Sequence, residues 1–219
     1  ELPPLSHQSL GELFEESCQR YAGRTAFTSM GKGLTYEAME RESRKIAAFL
    51  QAQGLKKGDR VAVMMPNILQ NPVTVYGILR AGLVVVNVNP LYTPRELEHQ
   101  LRDAGAKAIF VLENFAHTVE QVLGHTDVRH VVVTSLGEML GAKGLIVNLL
   151  VRKVKKLVPA WSIPRHKTFK QVLGEGDGAT LKPSGLVGSD IAFLQYTGGT
   201  TGIAKGAVLT HKNLLSNKL

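Results

Sequence analysis

The chain has 219 residues, 44% hydrophobic and 20% charged, which is the composition of an ordinary globular protein with a sizeable core. A single cysteine, Cys18, excludes an internal disulfide and favours a reducing compartment. No apolar run approaches the ~20 residues of a transmembrane helix, so a membrane-spanning class is not indicated.

The net charge of +8 is concentrated in one part of the chain. Residues 136–170 carry +7 of it, because they hold one acid, Glu138, and eight bases: Lys143, Arg152, Lys153, Lys155, Lys156, Arg165, Lys167 and Lys170. The rest of the chain is close to neutral, and the basic residues are not interleaved with aromatic ones. This pattern argues against a nucleic-acid partner.

Predicted helices and strands alternate along the chain. Apolar periodicity and capping residues predict helices over 10–21, 36–53, 70–81, 94–104 and 115–123, with another after Thr210. Apolar and β-branched runs predict strands over 26–30, 60–65, 83–88, 107–112, 129–134, 190–196 and 206–209. Five glycines and Pro183 predict a loop over 174–188. This order predicts an α/β fold, a mostly parallel sheet with helices on both faces.

The most unusual segment, residues 196–206, has the sequence Tyr-Thr-Gly-Gly-Thr-Thr-Gly-Ile-Ala-Lys-Gly. Its glycines leave backbone N–H groups free to approach a ligand, and successive N–H groups in a turn form an anion-binding concavity. Three threonine hydroxyls and the ammonium of Lys205 add donors for phosphate oxygens. The segment predicts a polyphosphate-binding loop rather than a plain hairpin, whose turn needs only one or two glycines.

Two common nucleotide-binding motifs do not fit this loop. Lys205 lies between Ala204 and Gly206, which breaks the Walker A pattern, and Gly-x-Gly-x-x-Gly is absent. A strand is predicted directly after the loop, and a helix follows only after Thr210. We therefore expect phosphates to be bound by backbone N–H groups, hydroxyls and Lys205 rather than by a helix N-terminus.

Residues 196–206 and the following Ala-Val-Leu-Thr-His-Lys-Asn resemble the phosphate-loop signature of the adenylate-forming superfamily. Gly198-Gly199, and Ala204 where proline is usual, resemble the bacterial long-chain fatty-acid–CoA ligases. The stretches that agree are 34–36, 58–67, 80–82 and 86–99. The resemblance covers essentially the whole chain. It implies that residues 1–219 are the N-terminal portion of an adenylation (AMP-binding) domain, with a basic amphipathic insertion at about 136–170 and the C-terminal domain absent.

The resemblance implies a two-step reaction. ATP and a long-chain fatty acid give an acyl-adenylate and pyrophosphate, and the thiol of coenzyme A then displaces AMP. Donors aimed at the β- and γ-phosphates would stabilise the charge that develops on the leaving pyrophosphate. The implied cofactors and co-substrates are ATP, Mg²⁺ and coenzyme A.

The resemblance also implies the site residues. Lys205 and Thr200 would be catalytic, by stabilising charge on the phosphates in the transition state. The implied ATP-binding residues are Tyr196, Thr197, Gly198, Gly199, Thr200, Thr201, Gly202, Lys205 and Gly206. No metal ligand is assigned, because the family's Tyr-Gly-x-Thr-Glu motif, whose glutamate helps to hold magnesium, does not occur. The ribose-binding aspartate and the C-terminal catalytic lysine are also missing, so residues 1–219 alone are predicted to have no ligase activity.

The basic segment has the pattern of an amphipathic helix. Apolar residues recur at helical spacing over 139–158, and the bases fall mainly on the other side: Arg152, Lys153, Lys155 and Lys156. Two interpretations stand. The helix lies on an anionic membrane, or it is an ordinary surface helix whose apolar stripe packs on the domain.

Three residues outside the loop are candidates for other roles: His211, Cys18 and Trp161. No two of the seven histidines have the spacing of a helical metal site, so no metal cluster is predicted. His211 either lies near the acyl pocket, as the resemblance implies, or is a helix-start residue with local hydrogen bonds. Cys18 is expected to be a buried or half-buried structural thiol. Trp161 is either an interfacial residue or part of the packing.

The expected partners are a fatty acid, ATP, coenzyme A and an anionic membrane contacted peripherally through 139–158. Nucleic acid is not expected, and a homodimer is left open. The expected location is the cytoplasm, at the inner face of the cell membrane. Two alternatives stand beside the long-chain enzyme: a synthetase for an aryl or medium-chain acid, and a truncated paralogue that binds nucleotide or lipid without reaction.

Overall fold

The structure is a computed structural model that describes residues 7–197 and 204–217. Within these residues the α-helices are α1 (Leu10–Arg20), α2 (Tyr36–Ala52), α3 (Gln70–Arg80), α4 (Pro94–Ala104), α5 (Ala116–Val122), α6 (Ala142–Leu149), α7 (Phe169–Asp177) and α8 (His211–Ser216). The strands are β1 (Thr25–Ser29), β2 (Lys32–Thr35), β3 (Arg60–Met64), β4 (Val84–Asn87), β5 (Ala106–Leu112), β6 (His130–Thr134), β7 (Lys167–Thr168), β8 (Ile191–Thr197) and β9 (Lys205–Thr210). A π-helical turn, Leu150–Val154, continues α6.

Seven strands form one sheet in the order β7-β6-β5-β3-β4-β8-β9, and β1 and β2 form a separate antiparallel hairpin. Neighbouring strands from β7 to β8 are parallel, while β9 runs antiparallel to β8. The carboxyl ends of β3, β4, β5, β6 and β8 therefore lie along one edge of the sheet, where α/β folds place their ligands. The predicted α/β fold with a mostly parallel sheet is confirmed.

Two apolar cores cover the two faces of the sheet. Along β3, Val61 and Val63 belong to one core, and Ala62 and Met64 to the other, as expected because successive strand side chains point to opposite faces. The first core is closed by α1, α2, α3 and α7, and the second by α4 and α5. Since both faces are covered, the central strands are apolar throughout, which made them visible in the sequence.

Local capping chemistry sets several helix boundaries. The Thr93 hydroxyl accepts from the N–H of Glu96, and the Glu96 carboxylate accepts from the N–H of Thr93, which together form a capping box at the start of α4. Gly105 ends α4 in the left-handed conformation at φ 58°. Thr35 and Thr210 likewise cap α2 and α8 with their side chains.

The predicted loop over 174–188 is wrong at its start, because α7 continues to Asp177. A capping box between Thr168 and Gln171 begins this helix. Gly176 faces α2 so closely that an added Cβ would lie 1.9 Å from the carbonyl oxygen of Lys45. The glycine therefore permits a helix crossing and does not mark a turn.

Candidate functional site

The antiparallel hairpin of β8 and β9 carries the predicted nucleotide loop. Its register pairs Tyr196 with Gly206 and Thr197 with Lys205, and the side chains of Thr197 and Lys205 are exposed. The structure thus brings these two predicted site residues opposite each other at the end of the hairpin. The other predicted ligands lie outside the described residues: Gly198, Gly199, Thr200, Thr201 and Gly202.

Tyr196 is buried at the base of this loop, with 8% of its surface exposed. Its hydroxyl donates a hydrogen bond to Oδ2 of Asp103 on α4, at 2.5 Å. Burial, together with the hydrogen bond to Asp103 and its charge, raises the pKa of Tyr196 above its ordinary value, so the phenol stays protonated and remains a donor. The sequence did not identify Asp103, since 93 residues separate it from Tyr196.

Gly206 lies against the ring of Tyr196 on the neighbouring strand. A Cβ added at Gly206 would lie 3.0 Å from Cζ and 3.1 Å from Cε2 of that ring. This glycine therefore leaves room for the aromatic side chain, in addition to the ligand contact expected from the sequence.

A chain of amide hydrogen bonds ties β8 to the stretch 86–99. Asn87 donates through Nδ2 to Oε1 of Gln195 at 2.9 Å, and Gln100 donates through Nε2 to the carbonyl oxygen of Asn87 at 2.8 Å. Since Asn87 and Gln195 are also register partners in β4 and β8, side chains and backbone align the same two strands. The base of the hairpin is therefore fixed to both β4 and α4.

His211 lies at the start of α8 and is fully buried. Its Nδ1 accepts a hydrogen bond from the N–H of Leu10 at 3.1 Å, which connects α8 to the first turn of α1. Burial, and to a smaller extent Lys57, lower the pKa of His211, while Asp190 acts in the opposite direction. This hydrogen bond favours a structural role for His211. Its partner, Leu10, is distant in sequence, whereas the sequence predicted local hydrogen bonds. The acyl-pocket role stays a prediction.

The apolar stripe of the basic segment is divided between the core and the solvent. Leu140, Val147 and Val151 are buried in the core shared with α2 and α7. Six other apolar side chains are exposed, with accessible fractions from 44% to 76%: Leu145, Ile146, Leu149, Leu150, Val154 and Leu157. The bases Lys143, Lys153, Lys155 and Lys156 are exposed in the same segment. Packing on the domain therefore accounts for only part of the stripe.

Polar contacts hold this segment in a defined orientation. Arg152 donates through Nε and Nη2 to Glu113, at 2.7–3.0 Å, just after β5. Glu113 is 4% exposed, and its hydrogen bonds raise the pKa of Arg152. Asn148 accepts from the N–H of Gly137 at 2.7 Å and donates to Oγ of Ser135 at 2.9 Å. The exposed apolar side chains are thus presented by a fixed backbone.

The two remaining candidates, Cys18 and Trp161, contribute to packing. Cys18 is buried in α1, and burial raises the pKa of its thiol to about 11, which agrees with the predicted structural thiol. Trp161 is half-buried, packs on the second core and makes an edge contact with His166, with ring centroids 4.9 Å apart. These contacts favour the packing interpretation of Trp161.

Within residues 7–197 and 204–217, no three or more His, Cys, Asp or Glu side chains come together in a way that could hold a metal ion. Among the helices of the same residues, none combines the length and the apolar character that crossing a bilayer requires.

Comparison with known sequences places the chain in one family. The family model described as AMP-binding enzyme matches residues 14–219. The long-chain-fatty-acid–CoA ligase of Salmonella typhimurium is 55% identical over 219 residues, which are 99% of this chain and 39% of the relative. The ligase of the same name from Haemophilus influenzae is 50% identical over 96% of this chain and 38% of its own length. The chain thus spans about two-fifths of the length of these relatives.

Solved structures support the same fold. An anthranilate CoA ligase matches with a TM-score of 0.77 and 22% identity, over 96% of this chain and 36% of that protein. A long-chain-fatty-acid-CoA ligase from Archaeoglobus fulgidus matches with a TM-score of 0.74 and 24% identity, over 99% of this chain and 39% of that protein. Since the family model covers nearly the whole chain and the fold agrees with it, the chain belongs to the AMP-binding enzyme family.

Proposed function

We propose that the full-length protein activates long-chain fatty acids with ATP, forming first an acyl-adenylate and then an acyl-CoA thioester. The observation that carries the proposal is the 55% identity to a long-chain-fatty-acid–CoA ligase along 99% of the chain. In this proposal, residues 1–219 are the N-terminal portion of the adenylation domain, and the rest of the domain and the C-terminal domain lie in the longer protein.

The proposed chemistry depends on stabilising charge at the leaving pyrophosphate. Lys205 and Thr200 would do so directly, and the other loop residues would bind the phosphates with hydroxyls and backbone N–H groups. The exposed position of Lys205 at the end of the hairpin supports this role. Mg²⁺ would neutralise phosphate charge, but no metal ligand is assigned within the described residues.

Acyl-CoA formation by the full-length protein tests the proposal. We expect kcat/KM to be highest for acids of long chain, and both Lys205→Ala and Thr200→Ala to lower kcat by about 10²–10³-fold. Lys212→Ala, an exposed lysine on α8, is the matched control and should leave the rate unchanged. A preference for benzoate or medium-chain acids supports the first alternative enzyme. Absence of pyrophosphate release with any acid supports the non-catalytic paralogue.

The proposal includes peripheral contact with an anionic membrane through 139–158, at the inner face of the cell membrane. Monomeric soluble proteins rarely expose large contiguous apolar patches, whereas surfaces that bind membranes combine apolar and basic side chains. Leu145, Ile146, Leu149 and Val154 are exposed in the same segment as the exposed Lys153 and Lys155, which supplies both kinds of side chain.

The position of this surface suits delivery of a membrane-dissolved acid. Arg152 fixes the segment at the carboxyl end of β5, and the nucleotide hairpin leaves the sheet at the carboxyl end of β8. Three strand spacings separate β5 from β8, which is roughly 14 Å. The proposed lipid contact and the proposed nucleotide loop therefore share one edge of the sheet.

Vesicle flotation of the full-length protein tests the membrane contact. We expect flotation with vesicles containing phosphatidylglycerol, loss of flotation in Leu145→Ser/Ile146→Ser, and no effect of Val208→Ser, an exposed apolar residue on β9. Flotation that does not depend on acidic lipid would refute the contact. If the same double variant instead shifts the mass measured by light scattering, a second copy of the chain covers this surface, and the homodimer is supported.

A further inference from the structure

Asp103 occupies a position that local helix chemistry disfavours. It lies one residue before the end of α4, where the helix dipole is negative and a carboxylate is normally destabilising. Its Oδ2 accepts the hydroxyl proton of Tyr196 at 2.5 Å, a charge-assisted hydrogen bond on a largely buried ring. The Asp103 carboxylate thus lies at an unfavourable position in its helix, but it has a specific partner, Tyr196, that is distant in sequence.

Tyr196 in turn contacts both strands of the hairpin. It belongs to β8, one residue before Thr197, and its ring lies against Gly206 of β9, one residue after Lys205. The ring therefore packs on the hairpin directly beside the pair formed by Thr197 and Lys205. Asp103 restrains this ring from outside the hairpin, because it is carried by a helix of the second core.

We propose that Asp103 is a positioning residue for nucleotide binding: it holds the Tyr196 ring against Gly206 and thereby fixes the position of Lys205. The inference rests on the proposed nucleotide role of this hairpin. Asp103 does not contact the phosphates in this account, and it acts through Tyr196.

Titration calorimetry of ATP with Mg²⁺ into the full-length protein measures this effect without requiring turnover. Tyr196→Phe removes the donor and keeps the ring, and Asp103→Leu removes the acceptor. Each change should weaken ATP binding by about tenfold, which is less than the full free energy of a hydrogen bond to a charged group, because the contact acts on ATP only through Lys205. Asp103→Asn retains an acceptor oxygen and should restore most of the affinity. Tyr21→Phe, at the end of α1 on the opposite side of the sheet, is the matched control and should bind as wild type does.

Two further readouts separate positioning from general stability. The double variant Tyr196→Phe/Asp103→Leu should bind ATP no more weakly than either single variant, because both remove the same contact. The KM for ATP should rise while the KM for the fatty acid stays unchanged, whereas a general loss of structure would affect both.

Unchanged ATP affinity in Tyr196→Phe and Asp103→Leu overturns the inference, and so does the absence of ATP binding by the wild-type protein. Additive losses in the double variant overturn it as well. Failure of the proposed function would give a different result. Wild-type protein would then bind ATP but form no acyl-CoA, which refutes the proposed reaction and leaves the comparison of ATP affinities among the variants valid.

Discussion

His211 accepts a hydrogen bond that joins two helices, and the two bonded residues lie 201 positions apart along the chain. Its Nδ1 is an acceptor for the Leu10 N–H, so the neutral ring is required. Burial lowers the folded-state pKa below the ordinary value of 6.5. Because the pKa of His211 is lower in the folded state than in the unfolded state, the neutral ring stabilises the fold fully at pH values above 6.5. This stabilisation is lost as the pH falls from 6.5 through the folded-state pKa.

We predict that the first turn of α1 loses protection as the pH falls from 7.5 to 5. Protonation of His211 removes the acceptor for Leu10, so this turn should open more often. Hydrogen exchange measured by mass spectrometry on the full-length protein, corrected for the intrinsic pH dependence of exchange, reports this change.

His211→Asn is the informative variant for this test, because the amide oxygen can replace Nδ1 as an acceptor and does not titrate. The pH dependence should disappear in this variant. His130, whose pKa is also lowered mainly by burial, is the control, and His130→Asn should leave the pH dependence of the α1 turn in place. Equal pH dependence in wild type and His211→Asn would contradict the assignment.

The sequence could propose Tyr196, Lys205 and Gly206 as site residues from residue type and spacing, because the glycine–threonine pattern is local. It could not identify Asp103 as the partner of Tyr196, or Leu10 as the partner of His211, because these contacts form only when distant helices pack. The only local sign of Asp103 was that it is a carboxylate near the end of a predicted helix. This feature is too common to indicate Tyr196 as its partner.

The glycines of α7 explain why the sequence predicted a loop from residue 174, although the helix continues to Asp177. Gly174 and Gly176 both lie within the helix, but an added Cβ at Gly174 meets nothing within 4 Å, whereas at Gly176 it meets the backbone of Lys45. The first glycine only lowers helix propensity, and the second permits close approach of α2. A single sequence contains no sign that distinguishes these two uses.

We predict opposite effects of alanine at these two positions. Gly174→Ala should raise the free energy of unfolding by about 0.5–1 kcal/mol, because alanine loses less backbone entropy in a helix. Gly176→Ala should lower it by about 1–3 kcal/mol, because the rigid backbone of α2 must move. Thermal unfolding of the two variants beside the wild type is the measurement, and destabilisation of equal size in both would refute the crossing argument.

The Arg152–Glu113 pair connects the π-helical turn to the end of β5. The Glu113 side chain is only 5% exposed, while that of Arg152 is 48% exposed, so water can replace part of the lost contact. Removing a partner from a fully buried pair costs about 3–5 kcal/mol. A loss below that range is therefore expected here.

We predict that Arg152→Met destabilises the protein by about 1–2 kcal/mol and increases hydrogen exchange over 142–157, because it leaves Glu113 buried without its partner. Lys153→Met, the adjacent exposed base, is the matched control and should change neither property by a measurable amount. If both variants behave alike, the pair does not hold the segment in place.

The layered architecture followed from the sequence because the central strands are buried on both faces. β3 and β5 are nearly continuous apolar runs, and such runs between helical patterns are typical of parallel sheets. The shortest strand, β7, was not predicted, because its two residues, Lys167 and Thr168, are placed only by pairing with β6. The sequence also could not show which apolar residues of 139–158 face solvent, since that division depends on where the segment packs.

The concentration of basic residues in one segment bears directly on the proposed membrane contact. Each lysine near an anionic lipid surface contributes about 1 kcal/mol, or roughly fivefold in binding, and this attraction is screened within a Debye length. The combined change Lys153→Gln/Lys155→Gln/Lys156→Gln should therefore weaken vesicle binding by about a hundredfold and reduce its dependence on salt.

The matched control removes three exposed lysines from other parts of the chain, namely Lys32, Lys182 and Lys212. Since both triple variants lower the net charge equally, a difference between them reports the position of the charge and not its total. Vesicle binding at low and high salt measures both effects. Equal losses in the two variants would mean that the protein responds to the lipid through its overall charge, and 139–158 would then have no special role.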